Sequence, residues 1–424
     1  MRFKFLLTTF LFFLGKSVFA QNFSEIAFSN MIYAEDIHSV QLHSSEYLSG
    51  FPILTLGSDE KLVLEFDDLE RDDRYLKYTF IHCSHDWKSE SMNQIEYLEG
   101  FLEDEITEQS YSFNTLKNYT HYQLEFPGEL MRIRRSGNYI LYVYDDTPDN
   151  PVLTRRFAVL EPTTAEIIAE VHRASDVNTM HEKQEVDFWV NTGEWQVRNP
   201  AQFLHATILQ NGRWDAALTG LRYRSGKPGE YSFDYDDNSN AFDGGSEFRV
   251  FDTKSLKYNG ARVVSSGIER GNNHAYILED LARPYGPYVS GTTASGRCYF
   301  KTEDFDGENR EEYVYTHFTL RSDYALEGGK TFVFGELTDW RILPEAELHF
   351  NESQNYWETT LLLKQGYYNY EYVFVPNGKN EINVAKIEGN HWETGNEYCI
   401  FVYLLDDGGA YDRLIGATSV QMGK

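Results

Sequence analysis

The densest group of chemistry-bearing residues is His82-Cys83-Ser84-His85-Asp86. Imidazole and thiolate are favoured zinc ligands, and a Cys near a His is the raw material of a nucleophile–base pair. The spacing argues against both. Side chains alternate along a strand, so His82 and Ser84 face one way and Cys83 and His85 the other. A structural zinc site also needs a second ligand pair, and no Cys or His pair with suitable spacing follows. Trp87, just beyond, is expected in the core. The acidic runs Asp67-Asp68, Asp72-Asp73, Asp145-Asp146 and Asp234-Tyr235-Asp236-Asp237 offer the hard oxygens that calcium takes. None has the loop with a central glycine and a closing Glu, so they are read as turns and surface. There is no Gly-x-Ser-x-Gly, no phosphate-cradling loop and no His-Glu-x-x-His. The carboxylate pair of a glycoside hydrolase is defined by its separation in space. With 66 acidic residues, pairs along the sequence carry no information. No residue is therefore assigned as catalytic, cofactor-binding or metal-binding. No cofactor is expected, and the chain reads as non-enzymatic.

The amino terminus bears on location. Arg2 and Lys4 precede an apolar run from Phe5 to Leu14, and Ser17-Val18-Phe19-Ala20 ends on a small residue. This is the order of a secretory signal peptide, with cleavage expected after Ala20. Lys16 is an irregularity in that pattern. The run is too short to span a bilayer, and no later stretch is apolar enough to do so. No Cys follows Ala20 to carry a lipid. The mature protein is expected to be soluble outside the cytoplasm, without direct membrane insertion.

Removing Arg2, Lys4 and Lys16 leaves 35 basic against 66 acidic residues, a net charge of −31. Nucleic acid and anionic lipid both need a positive field, so neither is an expected partner. The three cysteines, Cys83, Cys298 and Cys399, are few and far apart. One pairing is conceivable, Cys298 with Cys399. The alternative is three buried, reduced thiols acting as small hydrophobes.

The elements that would position these residues read as β-strands. Tyr and Phe are abundant and favour strands. Leu62 to Phe66, Tyr139 to Tyr144, Phe332 to Phe334 and Tyr370 to Val375 are short apolar or alternating runs. Ser136-Gly137-Asn138, Asn211-Gly212 and Asn377-Gly378 are turn signals between such runs. No long segment has a helical period, though Glu99 to Gln109 has room for one helical turn. Proline-bearing joints follow Leu160 (Glu161-Pro162-Thr163-Thr164) and Leu278 (Ala282 to Pro287). The chain is thus expected to be all-β. Three consecutive β-sandwich domains would span 21–161, 162–283 and 284–424, after a signal peptide at 1–20.

The third module has a recognisable local pattern. Phe332-Val333-Phe334-Gly335-Glu336-Leu337-Thr338-Asp339-Trp340 is a strand, a turn and a tryptophan; Tyr356 to Leu363 and Tyr367 to Val375 follow as strands. This resembles the early-set β-sandwich of glycogen-binding modules. The resemblance puts Trp340 at the first sugar-stacking ring. Glu371 stands where those modules carry a sugar-contacting lysine. Lys379 and Asn380 stand where the second ring would be. A glycan platform needs exposed rings and polar donors, so the fold is expected here and the sugar site is not.

Read end to end, the chain resembles the plug protein family of the type IX secretion system of Bacteroidetes. In the first module the matching segments include Tyr78-Thr79-Phe80-Ile81-His82-Cys83, Asp86-Trp87, Tyr97 to Phe101 and Asn150 to Phe157. In the second they include Leu209 to Asp215 and Gly244 to Arg249. In the third they include Tyr315 to Phe318, Leu363 to Tyr370, Glu388 to Thr394 and Tyr411 to Gly416. The resemblance implies a periplasmic plug. It would bind and seal the periplasmic opening of the giant outer-membrane translocon barrel when no cargo is present. It also implies a partner, that barrel, and a chain expected to be monomeric when free. It assigns no interaction residues. Arg132, Arg134 and Arg135 form a basic island in an acidic chain, either an anchor or a solvated loop. The other reading is a periplasmic or surface glycan-binding protein using the carboxy-terminal module.

Overall fold

The computed structural model describes residues 26–45, 51–70, 73–90, 92–291, 295–379, 381–405 and 411–422. The expected signal peptide at 1–20 lies outside them. The described chain is nearly all β, in several stacked sheets with no closed barrel. Where the sequence left room for a helical turn at 99–109, the chain instead forms the short strands Leu98–Gly100, Asp104–Glu105 and Glu108–Tyr111. The helical turn lies earlier, at Gln94–Tyr97, where the Glu96 carboxylate accepts the Asn93 backbone N–H at 3.0 Å.

Period-two alternation decides which face each central strand shows to which core. In strand Gly137–Asp145, Tyr139, Leu141 and Val143 point into the amino-terminal core, while Ile140, Tyr142 and Tyr144 pack on the opposite side with Ile81, Cys83 and Trp87. Strand Glu397–Leu405 divides in the same way. Tyr398, Ile400, Val402 and Leu404 enter the middle core, and Cys399, Phe401 and Tyr403 pack with Leu209 and Leu414. Burying each such side chain is worth about 1.5–3 kcal/mol. Strands buried on both faces must lie at the centre of the body, and these do.

The sheets make three sandwiches, two of which share a wall. A ten-stranded sheet runs from Leu218–Leu221 through Leu204–Gln210, Glu397–Leu405, Asp412–Gln421, Pro151–Leu160, Gly137–Asp145 and Leu76–Cys83 to Asp104–Glu105. Its two halves meet where Leu160 aligns in parallel with Leu414. One half is faced by the four strands Ile37–Ser44, Leu62–Asp68, Thr120–Phe126 and Glu108–Tyr111. The other half is faced by a five-stranded sheet built on Glu166–Arg173 and Lys183–Asn191. The third sandwich packs a four-stranded sheet centred on Gly366–Pro376 against a six-stranded one centred on Tyr313–Arg321 and Tyr356–Lys364.

Strand pairing therefore crosses the boundary expected between 283 and 284. The hairpin 397–421 leaves the third module and pairs with Leu204–Gln210 in the middle one. In the other direction, Arg249–Asp252 pairs with Gly366–Pro376, and Asn272–Ile277 pairs with Tyr313–Arg321. The proline-bearing joint at 282–287 is a surface crossing within the third sandwich. Local composition marks such a crossing but says nothing about which distant strands pair. Fragments 162–283 and 284–424, expressed separately, should each lack a partnered sheet. We expect poorly dispersed amide spectra and no cooperative melting; a well-dispersed spectrum from either would refute this pairing.

Candidate functional site

The three units meet through buried charges. Asp67, at the end of strand Leu62–Asp68, is fully buried. Its carboxylate meets Lys364 Nζ at 2.7 Å and accepts the Tyr313 hydroxyl at 2.7 Å, both from the third unit. His121 Nδ1 lies 2.7 Å from the same group, and Glu65 takes His43 at 3.3 Å. Burial works against the charge on Asp67, but Lys364 and His121 outweigh it and hold its carboxyl below the usual range. Burial likewise disfavours the His121 imidazolium, but its bonds to Asp67 and Glu65 raise it to about 9. Those same bonds from His121 and His43 pull Glu65 far down.

A second joint ties the middle unit to the third. Arg213 lies in the turn after strand Leu204–Gln210 and is buried. Its guanidinium binds Asp215 at 2.7 and 3.1 Å and reaches Glu371 at 3.1 Å. Burial pushes Glu371 up to about 7 against the pull of Arg213. The guanidinium also lies 4.6 Å above the Trp340 ring, while Phe334 and Phe248 meet that ring edge-on. A Cβ at Gly296 would come within 2.3 Å of it, so only glycine fits there. Trp340, the expected stacking ring, and Glu371, which stands in place of the sugar-contacting lysine, are thus spent on a joint. Arg213 occupies the ring face a pyranose would need.

A third network lies within the third sandwich. Arg249 binds Asp280 at 2.8 Å and Glu388 at 2.9 Å. Arg283 adds a bond to Glu388, and Tyr370 and Tyr372 donate to Asp280 at 2.6 and 2.9 Å. Six polar groups from distant segments are satisfied together, the condition for burying charge without a large penalty.

The expected strand through His82–Asp86 ends at Cys83, and a turn carries His85 and Asp86 away from it. His82 bonds Glu90 at 2.6 Å and lies 3.0 Å from the Ser136 carbonyl. His85 turns to the carboxy-terminal hairpin, bonding Asp412 at 2.9 Å and stacking on His205 at 4.1 Å. Ser84 bonds Asp86, Cys83 is buried, and Trp87 sits in the core against Trp214 and Arg156. All three cysteines are buried free thiols, so Cys298 and Cys399 are not bridged; burial pushes Cys399 up to about 12.

The run Asp67-Asp68, expected in a turn on the surface, is instead the fully buried end of strand Leu62–Asp68, and Asp67 is bonded across units. Asp68 bonds Arg74 at 2.6 Å, and Asp237 caps Ser239. Asp72 lies outside the described residues. Glu185, Asp187 and Asp234 approach one another, but Glu185 accepts the Ser175 N–H and Asp187 is taken by His172 and Asn240. Arg132, Arg134 and Arg135 are exposed; Arg134 pairs with Glu99 at 3.2 Å and Arg135 lies over Tyr411.

Exposed aromatic and apolar groups gather elsewhere. Trp189 (40% exposed) aligns with Ile168 (61% exposed) across adjacent strands, beside a hollow of about 470 Å³ edged by Glu166, Lys227 and Glu230. On the third unit, Tyr276 stacks flat on His317 at 4.3 Å, and His317 bonds His274 at 2.9 Å. Rigid aromatic anchors with polar rims are typical of protein-binding surfaces. Sequence alone could not find them, because exposure of Trp189 depends on which sheet face is left uncovered.

The Asp67 joint gives a direct test. Lys364→Met should strand a buried carboxylate and cost about 3–5 kcal/mol of stability in denaturant melts. Adding Asp67→Asn should restore much of it; equal stability of Lys364→Met and wild type would refute the joint. The His121 contribution is fully present below about pH 6.5 and fades as pH rises through about 9, because its folded pKa is raised. The depressed Asp67 and Glu65 act oppositely, losing their contribution on acidification. His121→Asn should therefore flatten part of the loss of melting temperature between pH 6.5 and 9.

The comparisons with known proteins now have a geometry to attach to. Residues 37–161 match the family model described as type 9 secretion system plug protein, first domain. That segment is the first sandwich, from strand Ile37–Ser44 to the residue after Pro151–Leu160. A crystal structure of a hypothetical protein from Parabacteroides merdae is similar over 94% of this chain and 100% of that one, at 31% identity and a TM-score of 0.88. A search of curated proteins gave no match. With the first domain matched and the whole architecture shared with a second protein, the chain belongs to the type IX secretion system plug family.

Proposed function

We propose that this chain is exported to the periplasm and acts as a plug there. It docks on the periplasmic opening of the system's outer-membrane translocon barrel and seals it when no cargo is present. The family membership carries this reading. The physical features agree with it. A seal must resist bending, and the three sandwiches are held by a shared sheet and by buried charge networks. A seal must also come off, which suits a polar, exchangeable interface of about 1,200–2,000 Å² in total. The expected leader at 1–20 supplies the export route. Among the described residues no helix is long and apolar enough to cross a membrane.

The role is binding without catalysis. His82, His85 and His121 carry the best-placed imidazole–carboxylate pairs, and all three are committed to contacts within the body. The strong acidity would steer the chain toward a basic barrel mouth and loosen the complex as salt rises.

The test is recovery of the partner. Affinity-tagged chain, purified from envelopes in mild detergent, should bring down a very large outer-membrane barrel. Recovery of glycan without a barrel would overturn the reading in favour of the sugar-binding alternative. Affinity for the isolated barrel should fall as salt is raised; an affinity flat from low to high salt would remove the steering argument.

A further inference from the structure

A cleft of about 560 Å³ joins the first and third units. Its two long walls are strand edges. On one side residues 37–41 belong to strand Ile37–Ser44, the outermost strand of its sheet, which pairs only with Leu62–Asp68. On the other side residues 360–364 belong to strand Tyr356–Lys364. That strand pairs with His349–Asn351 only through residues 356–358, so its remainder is an edge as well. Among the described residues neither edge has a strand on its cleft side. Unpaired strand edges are templates for an added strand.

Arg155, from strand Pro151–Leu160, lines the same cleft and is 3% exposed. Its Nη1 donates to the Thr154 carbonyl at 2.9 Å and lies 3.3 Å from Asp339. Its Nη2 is buried and has no acceptor. A buried guanidinium nitrogen without an acceptor is costly, and its natural complement is a carboxylate oxygen. The wall opposite is locally strained, with Asp339 and Trp340 both at positive φ, 54° and 52°. Non-glycine residues hold that conformation only where the surroundings compel it.

We infer that this cleft receives an extended polypeptide segment of a partner protein, added along the free strand edges, with one carboxylate side chain seated on Arg155. The two edges supply backbone donors and acceptors, and the guanidinium fixes the register by donating to a carboxylate at one position. Leu361 and Leu363 face the core, while Thr360 is exposed at the cleft, its hydroxyl 2.9 Å from His317 Nδ1. The inference does not depend on docking to the barrel. A failed peptide titration leaves that reading standing, and a failed barrel recovery leaves this one.

The experiment is fluorescence anisotropy on the full chain. The probes are two fluorescein-labelled ten-residue peptides of alternating Thr and Val, one with a central Asp and one with Asn in its place. The Asp peptide should bind about ten-fold more tightly or better, the worth of one charge-assisted pair. Thr360→Trp, which fills the cleft, should abolish binding of both. Arg155→Met should erase the preference for Asp and spare the Asn peptide. Melting curves check that both variants fold; if Arg155→Met does not, the peptide pair and Thr360→Trp still decide. Absence of binding, equal affinity for the two peptides, or affinity unchanged by Thr360→Trp would overturn the inference. So would self-association of the chain that Thr360→Trp abolishes while neither peptide binds, since the occupant would then be a second copy.

Discussion

A fully buried carboxylate is tolerable only beside a cation, and for Asp67 that cation comes from another unit. Lys364 lies about 300 residues away in sequence but 2.7 Å away in space. Separating the first unit from the third would leave both charges in an apolar setting without partners. The same logic repeats at Arg213 with Glu371, while Arg249 with Asp280 and Glu388 braces the third unit internally. Such pairs add little stability beyond what well-packed hydrophobic groups would give. Their effect is on specificity: one relative placement of the units satisfies them, and alternatives do not.

The shared ten-stranded sheet acts in the same direction. The chain leaves the first unit at Leu160, builds the rest, and returns through 397–421 to lay Leu414 beside Leu160. The amide of Glu161 closes the seam by donating to Leu414 at 2.9 Å, and Ala165 donates to Ile415 at 2.7 Å. The middle core therefore depends on strands Glu397–Leu405 and Asp412–Gln421.

Much of this was legible in the sequence. Alternation in Tyr139 to Tyr144 predicted a strand, and the two-faced burial explains why nearly every position there is apolar or aromatic. The alternation expected through His85 stops at Cys83, where the strand ends, and His85 reaches Asp412 from the turn beyond. The family followed from short segments in a fixed order. What was hidden was partnership. Glu371 and Trp340 could be recognised as a poor sugar site, but Arg213 as their occupant lies in another unit and has no local signature. The domain edge at 282–287 failed for a related reason. Proline and glycine mark where a chain turns on the surface, whereas strand pairing is set by long-range burial. The free edges at 37–41 and 360–364 were likewise invisible, since an edge is defined by the neighbour it lacks.

The central claim is that the three sandwiches behave as one cooperative body. Calorimetric unfolding of the mature chain, followed together with site-specific probes beside Trp87, Trp189 and Trp357, tests it most directly. The account predicts one transition, coincident at all three probes, with calorimetric and van't Hoff enthalpies in agreement. Separate transitions, with the third unit melting apart from the other two, would contradict it.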